Sequence, residues 1–177
     1  LSLRKPGESL DIFGPLGNGF SLRDTSHNVL LVAGGMGLAP LSFLAEEAQK
    51  NGHSVTFLYG TATGNPGIEE LLPAGIEPVL ATDDGTAGYH GLVTDLVTGY
   101  VNRADGVFAC GPLPMYKTLA QMPELKDKPV QVSLEVVMGC GHGVCYSCTI
   151  RTKKGLKRVC EDGPVFDLND ILWEEIE

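Results

Sequence analysis

The chain has 177 residues, 43% hydrophobic and 20% charged, enough apolar content to bury a core and too much for global disorder. Thirteen Lys+Arg against 22 Asp+Glu leave a formal charge of −9, which argues against a nucleic-acid or anionic-membrane surface. No apolar run approaches the ~20 residues of a membrane span, no basic-then-apolar leader opens the chain, and its start at Leu1 inside a strand-like stretch reads as an N-terminal truncation.

Residues 1–20 hold two short apolar pieces, 1–3 and 10–13, separated by the turn at Pro6-Gly7 and followed by GPLGNGF at 14–20. They read as the remnant of a β-unit, too small for a core of its own. From residue 28 strands and helices alternate. NVLLVA at 28–33 is a continuous apolar run, the mark of a strand covered on both faces. A glycine loop at 34–40 follows, then a helix over 41–50 with Leu41, Leu44, Ala45 and Ala48 on one face, stopped by Asn51-Gly52. Further strands are predicted at 54–59, 77–82, 106–110 and 130–134, with helices at 68–72, 91–100 and 113–122. Five strands alternating with helices predict an α/β fold with a parallel sheet and right-handed crossovers. After residue 135 a Gly/Cys loop spans 139–148. A hairpin is predicted from 146–152 and 156–160, and a last short helix begins near Asn169, capped by Asp167. The expected domains are therefore 1–26, 27–135 and 136–177.

Four of the five cysteines, Cys140, Cys145, Cys148 and Cys160, crowd into the last of these domains. An odd count with one tight cluster suggests cofactor ligation in a reducing compartment, hence the cytoplasm, more than a disulfide framework. The spacing is C-x4-C-x2-C, with the fourth cysteine twelve positions on, the plant-type pattern for a [2Fe–2S] cluster. Two thiolates then serve each iron, and a loop must curl round the centre with its N–H groups inward. Gly139, Gly141 and Gly143 permit the left-handed backbone such a loop needs. Zinc, a disulfide or ordinary buried thiols are the competing readings, although zinc sites commonly use a second knuckle and only Cys160 is available for one. His142 reads as a loop residue, since four cysteines already suffice.

Gly34, Gly35, Gly37, Ala39 and Pro40 follow a buried strand and open a helix, where backbone N–H groups and the helix dipole favour a pyrophosphate. The match to G-x-G-x-x-G is incomplete, because Pro40 stands at the third glycine and the second strand lacks a terminal acid. A Rossmann dehydrogenase is thereby disfavoured. Thr82-Asp83-Asp84-Gly85 and Cys110-Gly111-Pro112 close two other strands and share the same rim. The acids would repel a 2′-phosphate, predicting NAD(H) over NADP(H); the competing reading is a plain solvated turn. Cys110 reads as a nicotinamide neighbour and not a nucleophile, since no base is evident near it. Arg151, Lys153, Lys154, Lys157 and Arg158 form a basic hairpin that could steer an acidic partner or simply keep a solvated edge from aggregating.

GGMGLAP at 34–40, CGP at 110–112 and SLEVVMGCGHGVCYSC at 133–148 resemble the ferredoxin–NADP⁺ reductase superfamily with an attached cluster. Within it, GPLGNGF at 14–20, ATDDGTAG at 81–88 and KRVCEDGPVF at 157–166 resemble the electron-transfer subunits of class 1B dihydroorotate dehydrogenases. The resemblance implies a flavin-binding β-barrel, a nicotinamide-binding α/β domain and a C-terminal [2Fe–2S] domain. It also implies an FMN-containing catalytic partner subunit in a heterotetramer, with electrons passing from dihydroorotate through FMN, cluster and FAD to NAD⁺ in pyrimidine synthesis. On this chain Cys140, Cys145, Cys148 and Cys160 would hold the cluster. Residues 34–40, Thr82, Asp83, Cys110, Gly111 and Pro112 would line the dinucleotide site, and no residue is assigned to catalysis on dihydroorotate. The departure is at the front, where the barrel's Arg-x-x-Ser-type flavin strand has no counterpart. Nicotinamides deliver two electrons as hydride while the cluster accepts one, so a flavin is the expected converter. Related sulfide dehydrogenase, hydrogenase and NADH–ferredoxin oxidoreductase subunits carry similar motifs, and a non-catalytic cluster-binding docking module is the alternative of another class.

Overall fold

Helices on both faces of a mostly parallel sheet account for its buried apolar runs. The structure is a computed structural model and describes residues 3–23, 26–64 and 67–176. In chain order its main elements are β1 (Asn28–Gly34), α1 (Leu38–Lys50), β2 (Ser54–Thr61), β3 (Val79–Thr82), β4 (Tyr89–His90), α2 (Val93–Tyr100), β5 (Gly106–Cys110), α3 (Leu113–Gln121) and β6 (Val130–Ser133). Then come β7 (Thr149–Thr152), β8 (Gly155–Arg158), the single-turn α4 (Val159–Asp162) and β9 (Val165–Asp167). The sheet order is β4-β3-β2-β1-β5-β6-β9, with every pairing parallel except the last.

Val29 to Ala33 are wholly buried because β1 sits mid-sheet under helices on each side. On one face Leu41, Leu44, Ala45 and Ala48 of α1 meet Leu31, Phe57 and Phe108. On the other, Val93 and Val97 of α2 and Met115, Tyr116 and Leu119 of α3 meet Leu30, Val32 and Val107. Each such aliphatic side chain contributes about 1.5–3 kcal/mol relative to exposure, so the sheet is the stable centre of the chain. Residues 165–176 return to this centre. Trp173 stacks on Tyr116 with ring centroids 5.5 Å apart, and its indole N–H donates to Leu168 O at 2.9 Å.

Several expectations change. The helix predicted from 41 begins at Leu38, after a 3₁₀ turn over Gly35–Gly37, which keeps Pro40 in the first turn where its missing N–H costs nothing. The parallel strand β4 adds a sixth member to the predicted five, and β9 closes the opposite edge. Both are too short to show a period in sequence. The strand predicted to end at 160 ends at Arg158, so Cys160 lies on α4. Asp167 does cap, accepting from Asn169 N–H at 2.8 Å, but the chain beyond it makes two 3₁₀ turns in place of a helix. The apolar piece at 10–13 forms no strand: Leu10, Ile12 and Phe13 are exposed, and Asn18 alone of this segment bridges to another strand region, at Pro164. An extended segment needs a hydrogen-bonding neighbour to become a strand, and none of the described residues supplies one beside 10–13. Leu1 and Ser2 of the piece at 1–3 lie outside the described residues. Among the described residues no helix is long and apolar enough to cross a membrane.

Candidate functional site

Strand β1 and its neighbour β5 send their connections to opposite faces of the sheet, which opens a crevice beyond their carboxyl ends. The cleft there has a volume of ≈ 950 Å³. Gly34, Gly35, Gly37, Pro40, Asp83, Cys110, Gly111 and Pro112 all line it, eight of the ten residues expected at a dinucleotide site. Gly37 is required by contact: a Cβ there would strike the Cys110 carbonyl where the two loops cross. Gly35 is required by conformation, with φ +53° and open space beside it. The start of α1 has no side-chain cap and no acid in its first turn, which leaves its positive end to face an anion.

Two expected residues do other work. Thr82 is fully buried, and its hydroxyl donates to Ala87 O at 2.8 Å and accepts from Ala87 N–H at 3.2 Å, pinning the turn after β3. Ala39 is exposed on α1, outside the cleft lining. The turn after β3 is acidic by construction. Asp83 reaches the cleft, while Asp84 accepts from the Thr86 hydroxyl at 2.6 Å and amide at 3.0 Å, bonds that hold its carboxyl below the ordinary carboxylate value. Cys110 lies half-buried with Sγ 3.9 Å from Ser133 O, and burial pushes its thiol up, away from nucleophile character. Sequence reasoning missed Tyr116, whose hydroxyl donates to Ser133 O and accepts from Gly111 N–H at 2.8 Å. It fixes the Cys110-Gly111-Pro112 turn to the end of β6, and burial raises its pKa.

The far wall of the cleft is Glu135, Val136 and Met138, and the chain enters the cysteine loop directly from it. Cys145 lies beside Cys140 and Cys148 beside Cys160, with Cys140 near enough to act on Cys160. Among the described residues no three His, Cys, Asp or Glu side chains enclose one metal-sized point. Four cysteine thiols on one loop and the turn of α4 are a donor set that suits an iron–sulfur centre. Backbone N–H groups converge on the sulfurs. Gly143 N–H donates to Cys160 Sγ at 3.2 Å and Cys160 N–H to Cys148 Sγ at 3.4 Å. The amides of His142 and Cys145 bring the Cys140 thiol down to about 6, in the thiolate range at neutral pH. Cys160 is pushed the other way, by its neighbour Cys148 and by burial. Gly141 and Gly143 sit at φ +77° and +81°, the left-handed turns that let the loop curl. His142 points its Nδ1 at Cys140 O, 2.8 Å away, and its ring against Phe13, a loop residue as expected.

The basic hairpin is largely neutralised within the chain. Arg151 pairs with Glu175, Lys154 with Asp170, Lys157 with Asp162, and Arg158 with Glu161 and Asp162. Charge held this way favours the solvated-edge reading over steering of an acidic partner.

Comparison with known proteins bears on both halves of the site. Residues 135–172 match the family model for the iron–sulfur cluster binding domain of dihydroorotate dehydrogenase B. A dihydroorotate dehydrogenase B (NAD(+)) electron transfer subunit from Geobacillus sp. (strain WCH70) is 43% identical over 97% of this chain and 68% of its own length. The subunit of the same name from Clostridium acetobutylicum is 39% identical over 94% of this chain and 66% of its own. A chain in the structure of an NADH-dependent reduced ferredoxin-NADP oxidoreductase superposes with a TM-score of 0.81 at 32% identity, covering 98% of this chain. This chain spans 64% of that one.

Proposed function

The chain belongs to the family of dihydroorotate dehydrogenase B electron-transfer subunits, and from that premise we propose that it links a [2Fe–2S] cluster on Cys140, Cys145, Cys148 and Cys160 to an NAD(H) site in the cleft over β1 and β5. The observation that carries this reading is continuity: the strand-end wall of a dinucleotide-sized cleft runs, within a few residues, into a loop whose amides surround the four thiols. When bound, the cluster carries single electrons and a flavin splits the nicotinamide's pair. Overall, dihydroorotate loses two electrons and two protons, and NAD⁺ takes both electrons and one proton as hydride while the other proton goes to solvent. The first step would belong to an FMN-containing catalytic subunit, paired with this one in a cytoplasmic heterotetramer that would also hold FAD.

The chain's own residues bind and orient. Gly35 and the first turn of α1 offer N–H groups and a positive helix end to the pyrophosphate. Asp83 takes ribose hydroxyls and, with Asp84, disfavours a 2′-phosphate. Gly111 and Pro112, fixed by Tyr116, set the floor on which the nicotinamide lies beside Cys110. Around the thiols, inward amides favour the thiolate form that metal ligation requires. The likeness to the ferredoxin-NADP oxidoreductase chain supports a second reading, a subunit of that kind of oxidoreductase.

Anaerobic reconstitution of the chain tests the first reading. Two irons and two sulfides per chain, a rhombic EPR signal on reduction, and binding of NADH are expected. Zinc in place of iron, or a colourless product, overturns it. Co-purification with an FMN protein that oxidises dihydroorotate separates it from the second.

A further inference from the structure

Arg158, at the end of β8, reaches across to the cysteine loop. Its Nη1 donates to Gly143 O at 2.7 Å. Its guanidinium lies 5.2 Å from the ring centroid of Tyr146, the neighbour of Cys145, which sits at φ +60° where non-glycine residues are strained. Its other nitrogens face Glu161 and Asp162, on either side of which the turn presents Cys160 and Gly163. Gly143 is thereby clamped, since a Cβ on it would run into the Glu161 carboxylate. The clamped residue matters because both its flanking peptide units aim at sulfur. Gly143 N–H donates to Cys160 Sγ, and the peptide whose oxygen Arg158 holds has at its other end Val144 N–H, turned toward Cys140. A cation on a carbonyl polarises the amide it belongs to and strengthens the donor at the far end.

We propose that Arg158 is a positioning residue that raises the reduction potential of the cluster, by holding the 143–144 peptide so that its neighbouring N–H groups point at Cys160 and Cys140. Reduction adds one electron and no proton to a centre already ringed by thiolates. N–H donors stabilise that added charge, while the guanidinium's own charge is met by Glu161 and Asp162. Losing those donors leaves the oxidised form favoured, so the potential falls. Arg158 suits the task better than a lysine, because its planar fork can serve a carbonyl, a carboxylate and an aromatic face at once.

The inference rests on the cluster reading above, and its test is an anaerobic dithionite titration of the reconstituted 177-residue chain, followed by EPR. For R158Q the ratio of reduced to oxidised cluster at a fixed potential is expected to drop about tenfold, ~59 mV for a one-electron couple. R158K, which keeps the charge but not the fork, is expected to drop about threefold. Pulsed EPR on ¹⁵N-labelled protein is expected to show weaker coupling to the amide nitrogens at 143 and 144 in both. An unchanged potential in R158Q overturns the proposal, and R158K matching the wild type overturns the positioning role in favour of charge alone. Should R158Q hold no iron, R158K decides by the same criterion. A wild-type chain that assembles no cluster refutes the cluster reading itself, which separates that failure from this one.

Discussion

At the cleft, the turn at Gly35–Gly37 is held by β1 beneath it and by the Cys110-Gly111-Pro112 turn across it, with the sheet core packed on both sides. The cysteine loop at 139–148 contains no helix or strand. It is held instead by Arg158 on Gly143 and by amide-to-sulfur bonds with Cys160, whose own turn is tied down by Asn18 Nδ2 on Glu161 O and Asp162 O. One site is shaped before any ligand arrives, by burial that other residues supply. The other carries its thiols on irregular backbone held largely by polar contacts, with only Cys148 and Cys160 set into the core beneath α2 and α3. The two are joined at Glu135–Met138.

That contrast can be broken most decisively at Cys160. C160S should lose nearly all iron and visible absorption, while NADH affinity stays within about twofold, because the cleft turns at Gly35–Gly37 and Cys110-Gly111-Pro112 rest on β1 and β5 and not on Cys160. Iron analysis and a binding isotherm on one preparation decide it, and joint loss would mean the two regions fold as one. The mirror experiment is G37A. A methyl group driven into the Cys110 carbonyl should cost about 1–3 kcal/mol of stability and weaken NADH binding about tenfold, with iron content unchanged. Chemical denaturation followed by far-UV circular dichroism reads the first figure. A finer probe is charge at the cleft mouth: wild type should bind NADH at least about tenfold more tightly than NADPH, and D83N should narrow the gap to about threefold. Equal affinities in the wild type would remove Asp83 from the site.

The smallest expected effect sharpens what holds the sheet. Asp105 accepts from the amides of His27 and Asn28 at 2.8 Å each, which keeps its carboxyl below the usual value of 3.8. A carboxyl lowered on folding stabilises the fold above its unfolded pKa, and the contribution is lost as pH falls through the folded value. D105A should therefore melt lower than wild type at pH 7, and the two melting curves should converge below about pH 4. A constant gap down to pH 3 would show that the carboxylate charge is not the stabilising element.

Much of the site was legible in the residues. The buried run at 28–33 predicts a two-face-covered strand, and the cleft indeed forms at its end. Thr82 misled because a threonine at a strand end looks the same whether its hydroxyl meets a ligand or, as here, the backbone of Ala87. The basic hairpin left two readings open in sequence, since Asp170 and Glu175, which pair with it, lie far enough along the chain that only folding brings them near. Tyr116 reads as one more core aromatic on α3 until its hydroxyl is seen between Gly111 and Ser133.

By itself the order of residues determined what depends on near neighbours: which stretches alternate, where helices stop, and that four thiols at ligand spacing come after a nucleotide-type domain. Tertiary structure alone decided which strand borders which edge, that Cys160 rides a helical turn, and that Arg158 reaches the loop's backbone. Those contacts join distant positions, and a pairing between distant positions leaves no period or spacing in the chain for a reader to find.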